Sequence, residues 1–200
     1  MINTIILDIG QVLADFCWKE YLEECGYDKE TRERISKATV LGEYWGEQDR
    51  GILSTHELIQ LCASKDPGMK QEITKLFEDV SKLVVEYDYS EDFVKGLKAN
   101  GYKVYLLSNF GTNYETLKES FRFYPYVDGG VISYEVKQIK PEPEIYQSLI
   151  KKYDIDPQEA VFLDDREDNL ESAKELGFHT VKVEKFEKAV EDLRELGVKI

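Results

Sequence analysis

Short apolar runs that stop at polar residues recur along the chain. They predict buried strands at residues 4–7, 104–107, 131–132 and 160–163, and a weaker run predicts a fifth strand at 180–183. Between them, apolar residues with helical spacing predict helices at 90–100, 113–121, 142–153, 168–176 and 186–196. Because strands alternate with helices, we predict an α/β fold: a doubly wound, mainly parallel sheet covered on both faces.

The connection between the first two predicted strands is unusually long. It runs from Asp8 to Val104, whereas a crossover between parallel strands needs about a dozen residues or slightly more. The excess has helical patterns at 18–25, 29–38, 55–63 and 70–84, the last with apolar residues at Ile73, Leu76, Phe77, Val80 and Leu83. We therefore expect a core formed by residues 1–14 and 89–200 and an inserted helical lobe formed by residues 15–88.

Composition excludes several classes of protein. The chain has 26 Lys and Arg residues against 40 Asp and Glu residues, a net charge of −14 that disfavours binding to nucleic acid. No apolar run approaches the roughly 18 residues of a membrane helix, and residues 1–8 lack the pattern of a secretory signal. The three cysteines, Cys17, Cys25 and Cys62, form no C-x-x-C pair and suggest reduced thiols. We expect a cytoplasmic protein with no nucleic-acid or membrane partner; the oligomeric state has no signal in the sequence.

Polar residues stand where three predicted strands end and just before one predicted helix. They are Asp8, Ser108, Asn109, Lys140, Asp164 and Asp165. Because ligands of an open parallel sheet bind beyond the carboxyl ends of its strands, we expect these side chains to meet at one edge of the sheet.

The charges of this group predict its ligand. Three aspartates carry three negative charges and Lys140 offsets one, so the remainder calls for a divalent cation. Carboxylate ligands without His or Cys favour Mg²⁺, which keeps open positions that phosphate oxygens commonly fill. The Ser108 hydroxyl, the Lys140 ammonium and backbone N–H groups can bind the other phosphoryl oxygens. Asp8 is then a candidate nucleophile that forms an aspartyl-phosphate, which water hydrolyses.

Four segments carry this chemistry in a fixed order: Ile5-Ile6-Leu7-Asp8-Ile9-Gly10, Leu106-Leu107-Ser108-Asn109, Lys140-Pro141, and the segment from Phe162 to Asn169. Through them the chain resembles the haloacid dehalogenase-like hydrolase superfamily, over its whole length. The resemblance implies a Rossmann-like core, a helical cap of the C1 type in place of the inserted lobe, and a hydrolase. The implied activity is that of a Mg²⁺-dependent phosphatase acting on a small phosphorylated metabolite, with sugar phosphates as one candidate class.

The resemblance also assigns roles by position. It implies that Asp8 is both nucleophile and metal ligand, that Ser108 binds phosphate, and that Lys140 neutralises charge. Asp165 is implied as a direct metal ligand and Asp164 as a direct or water-mediated one. We assign Asn109, beside Ser108, to substrate binding, and Asn169 is a candidate for orienting the metal's ligands.

Gly10 departs from the pattern of the family's phosphatases. They usually carry there a second aspartate, which protonates the leaving group and then activates water. The Gly10 carbonyl oxygen can still bind the metal, but the general acid is lost, at a cost of roughly 10²–10⁴ in rate. Similarity to a bacterial subgroup that also lacks this aspartate favours a substrate that needs no acid, such as a sugar 1-phosphate. Otherwise a carboxyl of Asp15, Glu47 or Asp49 replaces it.

Two other functions stay open at this point. Gly10 also fits a catalytically weakened regulatory protein that has kept its affinity for phosphate and Mg²⁺. A metal-independent haloacid dehalogenase would use Asp8 but has no need of the Asp164-Asp165 pair, so we favour it less. Within the lobe, we interpret Trp45 as a core residue and Asp49 and Arg50 as solvated.

Overall fold

The protein is described here by a computed structural model, which covers residues 1–78 and 82–200. Its strands are β1 (Thr4–Leu7), β2 (Ala14–Phe16), β3 (Val84–Glu86), β4 (Lys103–Ser108), β5 (Gly129–Ile132), β6 (Ala160–Asp164) and β7 (His179–Lys182). Within the described residues, five of them form a parallel sheet in the order β5-β4-β1-β6-β7. The predicted parallel α/β fold is confirmed, and β1, which leads to Asp8, lies at the centre of the sheet.

Helices cover both faces of this sheet. They are α6 (Ser90–Ala99), α7 (Tyr114–Leu117), α8 (Ser133–Val136), α9 (Pro143–Tyr153), α10 (Glu167–Glu175) and α11 (Phe186–Glu195). Ile5 and Leu7 of β1 pack in the apolar cluster that includes residues of α6 and α11, whereas Ile6 packs in the cluster that includes residues of α9 and α10. All three side chains are fully buried. Successive side chains of a strand point to opposite faces, so the unbroken apolar run of β1 is explained by burial on both sides.

The long connection after β1 folds into helices α1 (Trp18–Glu24), α2 (Lys29–Ala38), α3 (Trp45–Arg50), α4 (Thr55–Lys65) and α5 (Lys70–Glu78). Side-chain caps begin two of them: Asp28 accepts a hydrogen bond from the Thr31 amide, and Ser54 and Glu57 form a capping box. These helices have apolar clusters of their own, around Ile73 and Phe77 in one and around Ile35 and Leu76 in another. An inserted helical lobe with its own small core is therefore present.

A short antiparallel pair joins the lobe to the sheet. Strand β2 pairs with β3, with Ala14 opposite Glu86 and Phe16 opposite Val84. The two crossings of the chain between core and lobe are thus adjacent. The division of the chain at residues 14/15 and 88/89 stays a prediction, and β2 extends across the first of these boundaries.

The sequence-based prediction was wrong for part of the lobe. Of the helix expected at 70–84, the described residues show α5 over Lys70–Glu78, and Val84 belongs instead to β3, paired with Phe16 of β2. Val80, one of the apolar residues used for that prediction, lies outside the described residues. The helix expected at 113–121 begins as α7 and continues as a 3₁₀ turn over Lys118–Ser120.

Two further findings concern the cysteines and the helices. Cys17, Cys25 and Cys62 are free thiols. None of the helices in the described part of the chain combines the length and the apolar character needed to cross a bilayer.

Candidate active site

The structure brings the polar residues predicted from the sequence together at the carboxyl edge of the sheet. Asp8 directly follows β1, Ser108 ends β4, and Asp164 ends β6. Asp8, Ser108, Asn109, Lys140 and Asp165 line one cavity of about 570 Å³, together with Gly10. Asp164 is fully buried. Parallel strands explain this convergence, because their carboxyl ends lie at the same edge.

Lys140 forms ion pairs with two of the aspartates. Its Nζ atom lies 2.6 Å from Asp164 Oδ2 and 3.0 Å from Asp8 Oδ2, and its side chain is 1% exposed. Burial alone would lower the pKa of this ammonium group, but the negative charges of Asp8 and Asp164 raise the pKa above its ordinary value. Lys140 therefore stays charged at neutral pH.

Asn109 positions Lys140 through the backbone. The Lys140 amide donates to Asn109 Oδ1 at 2.7 Å, and Asn109 Nδ2 donates to the Lys140 carbonyl oxygen at 2.9 Å. The Lys140–Pro141 peptide bond is cis. The side-chain amide of Asn109 therefore fixes the loop that carries the lysine, and its predicted contact with substrate stays a prediction.

Neighbouring groups shift the pKa of the Asp8 carboxyl group in opposite directions. Its Oδ1 atom accepts a hydrogen bond from the Ile9 amide at 2.7 Å. The pKa of Asp8 is raised to about 6: burial is the largest cause, Lys140 and the Ser108 hydroxyl lower the pKa, and the charge of Asp164 raises it. Positive charge placed beside Asp8 favours the carboxylate, the form a nucleophile needs.

Asp164 and Asp165 are neighbours with different surroundings. The Asp164 carboxylate accepts hydrogen bonds from the Arg166 amide at 2.8 Å, from Asn169 Nδ2 at 2.9 and 3.0 Å, and from Lys140. A carboxylate offers about four acceptor positions, so that of Asp164 is nearly filled. Burial and the charge of Asp164 raise the pKa of Asp165, which lines the cavity. Asp165 is the better placed of the two to bind a metal directly.

The donor set fits a divalent metal ion. Among the described residues, Asp8, Asp164 and Asp165 offer carboxylate oxygens that lie within 4.8 Å of one another. Lys140 compensates one of their charges, which leaves an excess of negative charge in a largely buried place. Oxygen-only ligands favour Mg²⁺. Next to them, Asn169 Oδ1 is buried without a hydrogen-bond partner in the described part of the chain.

The lobe closes over this edge of the sheet. Its residues Phe16, Trp18, Trp45, Gln48 and Asp49 line the same cavity as the aspartates. Trp45 also stacks on Phe77 of the lobe core, with ring centroids 6.0 Å apart. It is therefore a core residue, as expected, and in addition lines the cavity. The expectation for Asp49 was wrong: its side chain lines the cavity rather than the outer surface, because α3 packs against the core.

Polar contacts attach the C-terminal end of α3 to the core, at Asp49 and at the residues that follow it. Ser133 Oγ donates to the Asp49 carbonyl oxygen at 2.5 Å. Arg50, expected to be solvated, instead forms a bidentate ion pair with Glu142, with N–O distances of 2.6 and 2.8 Å. Gly51 ends α3 with φ +66°, and a Cβ atom there would lie 2.8 Å from Tyr134 Cβ. Glycine permits both the left-handed turn and this close approach.

The other candidates for the missing acid lie elsewhere. Asp15 lines the cavity, but its carboxylate accepts a hydrogen bond from Gln11 Nε2 at 2.9 Å. Glu47 is not among the residues that line the cavity. At Gly10, no atom lies within 4 Å of the position that a Cβ atom would occupy, so the missing side chain leaves open space.

A parallel sheet, a carboxylate cluster around a buried lysine at its carboxyl edge, and an inserted helical lobe above it define an α/β enzyme with a covered active site. The model of the haloacid dehalogenase-like hydrolases matches residues 3–177. The chain therefore belongs to the haloacid dehalogenase-like hydrolase family, as the resemblance implied.

Relatives of known structure or function support the same assignment. The chain is 30% identical over 201 residues to a D-ribitol-5-phosphate phosphatase of Bacteroides thetaiotaomicron, a match that covers 92% of this chain and 93% of the relative. A family enzyme of the same organism, solved with magnesium and inorganic phosphate, is 26% identical, with a TM-score of 0.70 over 91% of this chain and 94% of that one. An L-2-haloacid dehalogenase of Xanthobacter autotrophicus shares the fold alone, at 15% identity and a TM-score of 0.70, with all of this chain and 85% of that chain covered.

Proposed function

We propose that the chain is a Mg²⁺-dependent phosphatase for a small phosphorylated metabolite, with sugar and polyol phosphates as the leading class. One observation carries the proposal: Asp8 lines the cavity and forms an ion pair with the buried Lys140, and carboxylate oxygens of Asp8, Asp164 and Asp165 lie within 4.8 Å of one another. The match to a ribitol-phosphate phosphatase supports this substrate class.

In the proposed reaction, the Asp8 carboxylate attacks phosphorus while the bond to the leaving group breaks. The Ser108 hydroxyl and the Lys140 ammonium bind phosphoryl oxygens and offset their charge. Water then attacks the phosphorus of the aspartyl-phosphate, which releases inorganic phosphate and restores the Asp8 carboxylate.

Asp8, Asp165 and the Gly10 carbonyl oxygen would hold Mg²⁺, with Asp164 acting directly or through water. When bound, the ion would supply positive charge that offsets the negative charge of the phosphoryl group. The other arrangements belong to the chain itself: Asn109 fixes the Lys140 loop, and Asn169 and the Arg166 amide orient Asp164.

The size and cover of the cavity support a small substrate. Its volume of about 570 Å³ lies in the range of small-molecule sites, about 300–1,000 Å³. The lobe contributes three aromatic residues to the lining of the cavity: Phe16, Trp18 and Trp45. A site partly covered by a lobe selects substrates by size, which disfavours a folded phosphoprotein.

Phosphate release from a panel of phosphorylated sugars and polyols tests the proposal. We expect turnover with Mg²⁺, loss of turnover when the metal is chelated, and no turnover with Asp8→Asn. Asp88→Asn is a matched control, since the side chain of Asp88 is fully exposed and does not line the cavity. If the wild type were as inactive as Asp8→Asn while both bound phosphate, the regulatory alternative would replace the proposal. Metal-independent halide release from 2-haloacids would instead indicate a dehalogenase.

A further inference from the structure

We propose that Asp49, on helix α3 of the lobe, is the general acid and base of this reaction and acts within the cavity that Asp8 also lines. The assignment rests on the proposed phosphatase function and deepens it. It supplies from the lobe the proton transfer that Gly10, having no side chain, cannot perform.

The position of Asp49 is the first support. Its side chain lines the same cavity as Asp8 and Lys140, and it is close enough to Asp8, Lys140 and Arg166 for their charges to affect it. The Asp49 carboxyl group has no hydrogen-bond or ion-pair partner of its own within residues 1–78 and 82–200. Both of its oxygens are therefore available to a substrate that enters between Asp8 and the lobe.

The attachment of α3 makes this position a fixed one. Ser133 holds the Asp49 carbonyl oxygen, and the next two residues, Arg50 and Gly51, are bonded to Glu142 and to Lys137 Nζ, the latter at 2.5 Å. Catalytic groups need placement within about half an ångström, which a helix end bonded to the core favours. Asp49 and Arg50, the last two residues of α3, and Gly51, which follows the helix, are thus all bonded to the core.

The other carboxyl groups of the lobe are less suited. Asp15 is engaged by Gln11, Glu20 lines the cavity but is exposed, and Glu47 does not line it. The charge of the nucleophile Asp8 raises the pKa of Asp49.

The electrostatics of Asp49 suit an exchange of protons near neutral pH. Burial raises the pKa of Asp49 to about 7, and the charge of Asp8 raises it as well, whereas Lys140 and Arg166 lower it. A general acid and base works best when its pKa lies near the operating pH, because it can then both give and accept a proton.

The proton and the electron pairs balance over the two steps. In the first, Asp8 forms a bond to phosphorus, the bond from phosphorus to the leaving oxygen breaks, and the Asp49 carboxylic acid gives its proton to that oxygen. The Asp49 carboxylate then takes a proton from a water molecule whose oxygen attacks the aspartyl-phosphate. The Asp8–phosphorus bond breaks, inorganic phosphate forms, and both aspartates return to their starting states.

The dependence on the leaving group separates catalysis from structure. With Asp49→Asn, kcat/KM for an alkyl phosphate such as ribitol 5-phosphate should fall by roughly 10²–10⁴, the usual contribution of general acid catalysis. With p-nitrophenyl phosphate, whose leaving group departs without a proton, kcat/KM should change far less. Because the variant also lacks the base, p-nitrophenol should appear as a burst of about one equivalent before a slow steady state.

Two further variants complete the test. Glu47→Gln, two residues earlier on α3, should behave as wild type with both substrates. Gly10→Asp, made in the Asp49→Asn background, should restore turnover of the alkyl phosphate, since the space at Gly10 is open.

Each alternative outcome has a distinct meaning. Equal loss of kcat/KM for both substrates, or wild-type kinetics in Asp49→Asn, would overturn the assignment of Asp49 while the phosphatase function stood. A wild-type protein inactive toward every phosphate ester would overturn the proposed function and the assignment together.

Discussion

Replacing Lys140 with methionine tests how the fold keeps two aspartates buried beside each other. The methionine keeps most of the apolar stem and removes the charge that lies 2.6 Å from Asp164 and 3.0 Å from Asp8. The side chains of Lys140, Asp164 and Asp8 are 1%, 0% and 11% exposed, so water does not reach Asp164 to replace the lost partner. Removing one partner of such a buried pair costs about 3–5 kcal/mol. The whole stability of a domain is about 5–15 kcal/mol, so the effect should be large.

Urea unfolding at pH 7.5 in the absence of metal measures this loss, with Lys188→Met as control. Lys188 is an exposed residue of α11 paired with Asp192, and its replacement should cost less than about 1 kcal/mol. Mg²⁺ should recover part of the stability that Lys140→Met loses, because it supplies positive charge to the same carboxylates.

The pH dependence has a definite sign. Burial raises the pKa of Asp8 from 3.8 to about 6 in the folded protein, so the folded state binds a proton more tightly than the unfolded chain. Stability of the metal-free protein should therefore fall as the pH rises from about 4 to 6. Without Lys140, which lowers this pKa, the fall should continue above pH 6. A loss below about 1 kcal/mol with an unchanged pH profile would refute the account of Lys140.

Further substitutions test the packing of helix α3 against the core and the proposed metal ligand Asp165. Gly51→Ala should destabilise the protein by about 1–3 kcal/mol, measured by urea unfolding, and lower kcat, because the left-handed turn and the contact with Tyr134 exclude a methyl group; wild-type stability would contradict the packing of α3. Arg50→Met should cost about 1 kcal/mol or less, since its ion pair with Glu142 is partly exposed, yet lower kcat by displacing α3; unchanged kinetics would contradict it. Asp165→Asn should raise the melting temperature of the metal-free protein, because burial raises the pKa of this carboxyl and its charge is costly, and should abolish the stabilisation by Mg²⁺; a Mg²⁺-induced shift as large as in the wild type would exclude Asp165 as a ligand.

The sheet could be predicted from the sequence because its strands are buried on both faces. Burial on both sides makes each strand a continuous apolar run, and the polar residue after the run marks its end. Asp8 and the Asp164-Asp165 pair were found in this way. The convergence of Lys140 with them followed from the parallel arrangement, which sets all strand ends at one edge.

The lobe was harder to predict because its decisive features are short or tertiary. Strands β2 and β3 have three residues each, too few for a clear alternating pattern. Val84 of β3 continued the apolar spacing of the helix predicted at 70–84, so that prediction extended too far. Helix α3 has six residues, including a glycine, and lacks a buried face. The place of Asp49 depends on contacts with Ser133 and Glu142, far away in sequence. The chemical signal was the absent carboxyl at Gly10, which left three candidates and did not choose among them.

Trapping the covalent intermediate tests the central claim most directly, namely that Asp8 takes the phosphoryl group. The protein is mixed with Mg²⁺ and a turned-over substrate, quenched in acid, and reduced with borohydride, which converts an acyl phosphate of aspartate to homoserine. Peptide mass spectrometry then identifies which aspartate has been converted to homoserine. We expect homoserine at position 8 in the substrate-treated protein and not in protein treated without substrate. Turnover with an unmodified Asp8, or with the modification at another residue, would contradict the account.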